Sequence, residues 1–369
     1  MILILTQCFP SRVGGIESLI SNLALQLRKK YKVIVFADRH HLFYDSIYDN
    51  LHKNEILIRR TGGIKFFRRR KKIKEIKPFI DSNNVKFIVA DTWKSLELGI
   101  EYFNKNNIPT FCLAHGNELI SENTKKMNRI KNTLNKSTFV IANSKFTQNL
   151  LKKILPDKNN INYVYPGATD LRDIKSDNFT EVNGNPIIIT LARLEKRKGH
   201  LQILKVIKKL KTEFPKILYF IAGDGEEKSN LKKFVNDNQL ISNVRFVGLV
   251  NENQKKFLFE KANLMIMPTL DETDKRSIEG FGIVYLEAAF FSIPSIASSV
   301  GGTPEVVINE STGMIIRNFE ELYETTRNLL KNNSNLKLLG KNAQKRSINN
   351  FKWEKVVNDY YSIFTKIAH

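Results

Sequence analysis

Residues 279–289 read Glu-Gly-Phe-Gly-Ile-Val-Tyr-Leu-Glu-Ala-Ala, between a charged loop at 271–275 and a short apolar run at 294–297. That order predicts a loop, then a helix, then a strand. Gly280 and Gly282 let the backbone come close to a ligand, and a helix opening there turns its first unpaired N–H groups toward an anion such as a phosphate. Glu279 stands just before the helix, and Glu287 is expected about two turns inside it, so that the two carboxylates lie at different depths along roughly one face. Such a pair suits the two ends of one extended ligand. A glutamate near a helix start also simply favours the dipole, so the pair by itself names no chemistry.

Outward from this stretch, strand and helix alternate. Apolar runs at 187–194, 217–222, 244–248, 264–268 and 294–298 read as strands, with a helix at 199–211, and an equivalent series at 1–6, 31–38, 55–60, 85–92, 109–115, 138–144 and 162–166 precedes them. Between 38 and 55 the connection, through His40 and His41, has no readable element, and adjacent histidines on different sides do not make a metal site. At 369 residues the chain exceeds one ordinary core. Two doubly wound parallel α/β domains are the economical inference. Tyr165-Pro-Gly167 marks the linker, giving domains at 1–168 and 169–352 and a terminal amphipathic helix at 353–369.

Three strand ends carry chemistry. After the first strand, Gly14 and Gly15 open a run in which Ile16, Leu19, Ile20, Leu23 and Leu27 recur at helical spacing, a second phosphate-cradling turn. His115 closes the strand at 109–115, where parallel sheets bind ligands. After the strand at 187–194, Arg193 and Lys198 offer a forked guanidinium and a flexible ammonium, suited to clamp a diphosphate.

Composition sets the broad class. Hydrophobic residues at 42% and aromatics at 10% fill two cores, and two cysteines, Cys8 and Cys112, without CxxC spacing read as reduced thiols of a cytosolic protein. The apolar start runs directly into Thr6 and Gln7 and is expected to be a first strand and not a signal peptide. The formal charge of +22, from 59 basic against 37 acidic residues, points to a polyanionic partner or to a lysine-rich genome. Its densest part is 65–77, where Lys65, Arg68, Arg69, Arg70, Lys71 and Lys72 share a predicted helix with Phe66, Ile73, Ile76 and Ile80. The apolar stripe is expected to dock on the sheet. The cations are then left to face anionic headgroups, and attachment is expected to be electrostatic.

Glu-Gly-Phe-Gly followed by Glu-Ala-Ala resembles the carboxylate-pair motif of family-4 retaining glycosyltransferases, and Ser277 to Ala289 is especially similar to the bacterial phosphatidylinositol mannosyltransferase branch. Phe9 to Glu17 and the Arg193, Lys198, Gly199 spacing resemble the same family, so the likeness spans essentially the whole chain. It implies a GT-B fold, two Rossmann-like domains facing across a cleft, the first for acceptor and the second for nucleotide sugar. It implies transfer of a hexose, mannose or a glucose-type sugar, with retention, from a nucleotide diphosphate to a hydroxyl of a lipid-linked or surface-polysaccharide acceptor such as lipopolysaccharide. Arg193 and Lys198 would hold the leaving diphosphate, Glu279 the sugar hydroxyls, His115 the sugar's outer hydroxyl and Glu287 the ribose. Gly14, Gly15, Gly280, Phe281, Gly282, Ile283 and Val284 would line the donor site. Related enzymes contact the nucleobase after the strand at 244–248, here Val250 and Asn251 followed by Glu252; a carboxylate would suit guanine best at that point. No divalent metal is required and no cofactor beyond the donor. The enzyme would sit peripherally on the inner face of the cell membrane. The rival readings are a basic nucleic-acid binder, which leaves both glycine turns unexplained, and another nucleotide-sugar enzyme of this fold such as an epimerase.

Overall fold

A computed structural model describes residues 1–270 and 278–368, so the charged loop at 271–275 lies outside the described residues. The chain divides into two compact units, one formed by Met1–Gly167 with Trp353–His369, the other by Ala168–Lys352.

The first unit is built on seven parallel strands: β1 (Ile2–Thr6), β2 (Val33–Asp38), β3 (Leu57–Thr61), β4 (Phe87–Ala90), β5 (Thr110–Ala114), β6 (Phe139–Ala142) and β7 (Ile161–Tyr163), in the order β3-β2-β1-β4-β5-β6-β7. Ile2 of β1 pairs with Val33 on one side and Phe87 on the other. An unbroken apolar strand such as β1 belongs in this position because helices cover both faces of the sheet. The helix Gly15–Leu27 buries Leu19, Ile20, Leu23 and Leu27, at the spacing read from sequence. The terminal helix Trp353–Phe364 belongs to this unit. Its Phe364 ring packs on Phe87 and Phe111, at centroid distances of 4.9 and 4.5 Å, and the Tyr361 hydroxyl donates to the Gln26 carbonyl at 3.2 Å.

The second unit has six parallel strands, β8 (Ile187–Leu191), β9 (Leu218–Ala222), β10 (Val244–Gly248), β11 (Leu264–Met267), β12 (Ser295–Ser298) and β13 (Gly313–Ile316), in the order β10-β9-β8-β11-β12-β13. Relative to its own first strand this repeats the arrangement of the first unit. In each sheet the order reverses beside the first strand, between β1 and β4 and between β8 and β11, and ligands of such sheets bind outside the strand C-termini at that point. The loops after β1, β4, β5, β8 and β11 therefore carry the residues of interest.

Two local expectations change. The helix following Gly282 spans Ile283–Phe290, so Glu287 lies just one turn inside it and Glu279 stays in the preceding loop. Gly282, with φ 98°, is the N-cap, so the helix opens after the second glycine and not at Gly280. The connection after β2 holds a helix, Leu42–His52.

Candidate active site

In the second unit, the loop after β8 folds into one tight turn, Lys196–Lys198, ended by Gly199. The turn packs a chain of alternating charges. Arg193 Nη1 lies 2.6 Å from Glu195 Oε1, Glu195 Oε2 lies 3.0 Å from Arg197 Nε, and Arg197 Nη1 lies 3.3 Å from Glu279 Oε2. Lys198 Nζ donates to that same Glu279 oxygen. Lys198 and Arg197 are buried, whereas the Arg193 side chain is 69% exposed. Burial works to raise the Glu279 pKa, but Lys198 and Arg197 outweigh it and hold the carboxyl below its ordinary value. Burial pulls Lys198 down despite Glu279, with Arg197 adding to the effect. The sequence motif named Arg193, Lys198 and Glu279; it did not single out Glu195 or Arg197, whose importance depends on a contact spanning 82 positions.

His200 also escaped the sequence reading. Its buried ring lies 3.3 Å from the Tyr219 hydroxyl and 3.4 Å from the Arg193 carbonyl, which it helps to fix. Burial, helped by Lys198 and opposed by the Arg193 carbonyl, lowers its pKa to about 4.

The loop bearing Glu279 is held from behind. Gly302 N–H donates to the Glu279 carbonyl at 3.0 Å, and a Cβ on Gly301 or Gly302 would stand 2.0 Å from the Glu279 carbonyl oxygen or 2.1 Å from that of Gly280. Gly280 and Phe281 are buried, while Ile283 and Val284, in the first turn of the helix, are partly exposed. Tyr285 anchors that turn by donating its hydroxyl to the Met267 carbonyl at 2.6 Å.

Glu287 is buried and its Oε1 accepts from Lys255 Nζ at 2.8 Å. Thus the two glutamates of the motif do not share a partner: Glu279 is tied to the loop after β8, Glu287 to the helix Glu252–Lys261. Asn251 opens that helix. Its side chain accepts from Gln254 N–H at 2.9 Å while its own N–H donates to the Gln254 side chain at 3.1 Å, a reciprocal cap. Val250 precedes it and is partly exposed.

In the first unit, Asp91, just past β4, is fully buried and organises the strand ends. It accepts from the Thr6 hydroxyl at 2.7 Å, Gln7 N–H at 2.9 Å and the Ser95 hydroxyl at 2.6 Å. Buried His115 donates from Nε2 to the Asp91 carbonyl at 2.8 Å, which leaves Nδ1 as the ring nitrogen not engaged in that bond. Gly14 caps the helix after β1 and Gly15 is its first residue. A Cβ at Gly14 would meet the buried Glu17 carboxylate at 2.3 Å, whereas one at Gly15 would meet nothing within 4 Å.

The cations of the helix Lys65–Asp81 do not form one face. Lys65, Arg70 and Lys71 are exposed. Lys72 is not a surface residue: it is 4% exposed, ion-paired with Asp38 and donates to the Thr6 carbonyl. The helix packs through Ile73 and Ile76 and brings Lys72 with them, so the charge survives only by pairing with the end of β2. Burial lowers the Lys72 pKa against the opposing pull of Asp38. Arg69 is paired with Glu97, and Arg68 donates to the Gly63 carbonyl at 3.0 Å. Phe66, expected in the docked stripe, is 74% exposed. Among the described residues, no group of three or more His, Cys, Asp and Glu side chains forms a metal site.

Comparison with known proteins follows this division. Residues 13–170 match the model of Glycosyltransferase Family 4, and residues 172–346 that of Glycosyl transferases group 1. The chain belongs to the family-4 glycosyltransferases. Among its relatives is an uncharacterized glycosyltransferase of Methanocaldococcus jannaschii, 27% identical over 366 residues, covering 96% of this chain and 95% of that protein. A GDP-mannose-dependent monoacylated alpha-(1-6)-phosphatidylinositol monomannoside mannosyltransferase of Corynebacterium glutamicum is 23% identical over 328 residues, covering 85% and 84% of the two chains. The crystal structure of HepE from Anabaena in complex with UDP and glucose superimposes with a TM-score of 0.82 at 17% identity, over 99% of this chain and 100% of that one. This glycosyltransferase has the GT-B fold, with two Rossmann-like domains.

Proposed function

We propose that this glycosyltransferase moves a hexose, mannose or a glucose-type sugar, from a nucleotide diphosphate to a hydroxyl of a lipid-linked or surface-polysaccharide acceptor, with retention and without a divalent metal. The observation that carries the reading is the partly buried Glu279 carboxylate, paired with Lys198 and Arg197 beside the helix that opens at Gly282. Lys198 has three N–H donors; one serves Glu279, and the others are suited to a phosphate oxygen. Arg193 and Lys198 would stabilise the diphosphate as the bond from phosphate oxygen to anomeric carbon breaks. The acceptor oxygen bonds to that carbon on the same face, and its proton passes to the departing phosphate. Glu279 would hold the sugar, His115 its outer hydroxyl through Nδ1, and Glu287 the ribose. Two cations and the helix start supply the charge compensation that a metal gives elsewhere.

The base is the open variable. The mannosyltransferase relative is named for GDP-mannose and the structural neighbour was crystallised with UDP and glucose. The Asn251 side chain is occupied by its helix cap, which leaves it poorly suited to read a guanine edge. Calorimetric titration with UDP-glucose, GDP-mannose and their base- and sugar-swapped counterparts tests the assignment. One donor should bind, Glu287→Ala should weaken it, and turnover in excess chelator should be retained with an α-linked product from an α-linked donor. Inverted product, or a strict metal requirement, overturns the mechanism.

A further inference from the structure

The helix Leu42–His52 is built inside out. Asp45 is its buried residue, accepting from the Ser11 hydroxyl and His40 N–H, each at 2.8 Å, and Asp49 receives the Arg60 guanidinium through Nε and Nη2 at 2.9 and 2.8 Å. Tyr48 packs its ring on Phe9, but Leu42, Phe43, Tyr44, Ile47 and Leu51 point to solvent, with exposures from 44 to 73%. A surface helix ordinarily shows the reverse pattern. β2 and β3 are neighbours in register, Asp38 opposite Thr61, so the helices that follow them open along one edge of the sheet. The second brings Ile64, Phe66 and Phe67, also 55 to 74% exposed, its two rings edge to face at 5.1 Å. Exposed Arg39, Lys65, Arg70 and Lys71 lie within the same two segments.

We propose that this apolar edge, with its cations, inserts into the headgroup region of an anionic bilayer. The charge chooses among occupants. A second copy of the chain would set like cations against one another, and nucleic-acid bases that stacked on Phe43, Tyr44, Phe66 and Phe67 would leave the aliphatic Leu42, Ile47, Leu51 and Ile64 uncovered. A bilayer accepts the aliphatic and aromatic side chains in its interface while its phosphates meet the cations. Among the described residues no helix is long and apolar enough to cross a membrane, so this is a surface attachment. The inference rests on the membrane-borne acceptor proposed above and deepens it: attachment by insertion as well as by charge.

Two variants of the full chain test it on vesicles of phosphatidylglycerol and phosphatidylcholine. In Phe66→Trp the introduced indole should shift to the blue on binding and be quenched by lipids brominated on the acyl chains; the native Trp93 and Trp353 are buried and supply a constant background. In Phe43→Ser with Phe66→Ser, vesicle partition should fall by more than about tenfold, the least expected from losing one large apolar side chain from the interface. The loss should persist at about 0.5 M salt, where surface charge is screened. An unquenched indole with binding abolished by salt overturns insertion. So does a dimer that the serine variant converts to monomer without changing vesicle binding. Nucleotide-sugar titration is read in parallel and should be unchanged in the serine variant. A wild-type chain that binds no nucleotide sugar overturns the proposed function, whereas normal donor binding with an unquenched indole overturns insertion alone.

Discussion

Two basic stretches of the chain, Lys65 to Lys72 and Arg193 to Lys198, look alike on paper and are used in opposite ways. In the first, three cations are exposed while Lys72 is buried against Asp38 and Arg69 is paired with Glu97. In the second, Arg197 and Lys198 are drawn inward by Glu195 and Glu279, while Arg193 and Lys196 are left exposed. A cation goes inside only where a carboxylate from another element meets it. Residue type along the chain therefore says little about which charge a ligand can reach.

The sharpest way to break this contrast lies in the second stretch. Lys198→Met should lower turnover by about 10²–10³-fold, as loss of one preorganised donor does, and destabilise the fold by about 3–5 kcal/mol because Glu279 loses its nearest countercharge. Arg193→Ala should lower turnover comparably and leave stability within about 0.5 kcal/mol, its side chain being 69% exposed. Steady-state kinetics and denaturant melts separate the two; equal destabilisation would remove the distinction. Adjacent residues of the first stretch offer the same comparison in stability alone. Lys72→Met should cost about 3–5 kcal/mol by stranding Asp38, and Lys71→Gln no more than about 0.5 kcal/mol.

A smaller effect is expected from pH. The His200 pKa lies near 4 in the fold against 6.5 in the unfolded chain, so between those values the unfolded state binds the extra proton. Its contribution to stability is whole above pH 6.5 and declines as pH falls toward 4, by about 3 kcal/mol in total. His200→Gln should flatten that part of the stability profile relative to wild type, and parallel profiles would show that the ring is not neutral inside.

The alternation of buried strands and helices was legible because parallel strands covered on both faces leave unbroken apolar runs, as in Ile2–Thr6 and Leu264–Met267. β13 was missed: Gly313–Ile316 is four residues long and begins at a glycine, too little to stand out. The helix Leu42–His52 was unreadable for a different reason. Its inward carboxylates are Asp45 and Asp49, and they are explained by partners outside the helix, Ser11 and His40 for Asp45 and Arg60 on β3 for both. At the site, Arg193, Lys198, Glu279 and Glu287 could be picked out by motif, but the partners could not. Lys255, Asp91 and Arg197 act through contacts between distant segments, and no local pattern announces them.

Gly301 and Gly302 lie at van der Waals distance behind the backbone of Glu279 and Gly280, with Gly301 at φ 59°. In a saturation scan scored by activity, both positions should tolerate almost no replacement, alanine included, although neither offers a side chain to any substrate. A map of intolerant sites would then extend past the chemistry to the wall that the loop leans on, and a designer altering donor preference would have to leave that wall bare.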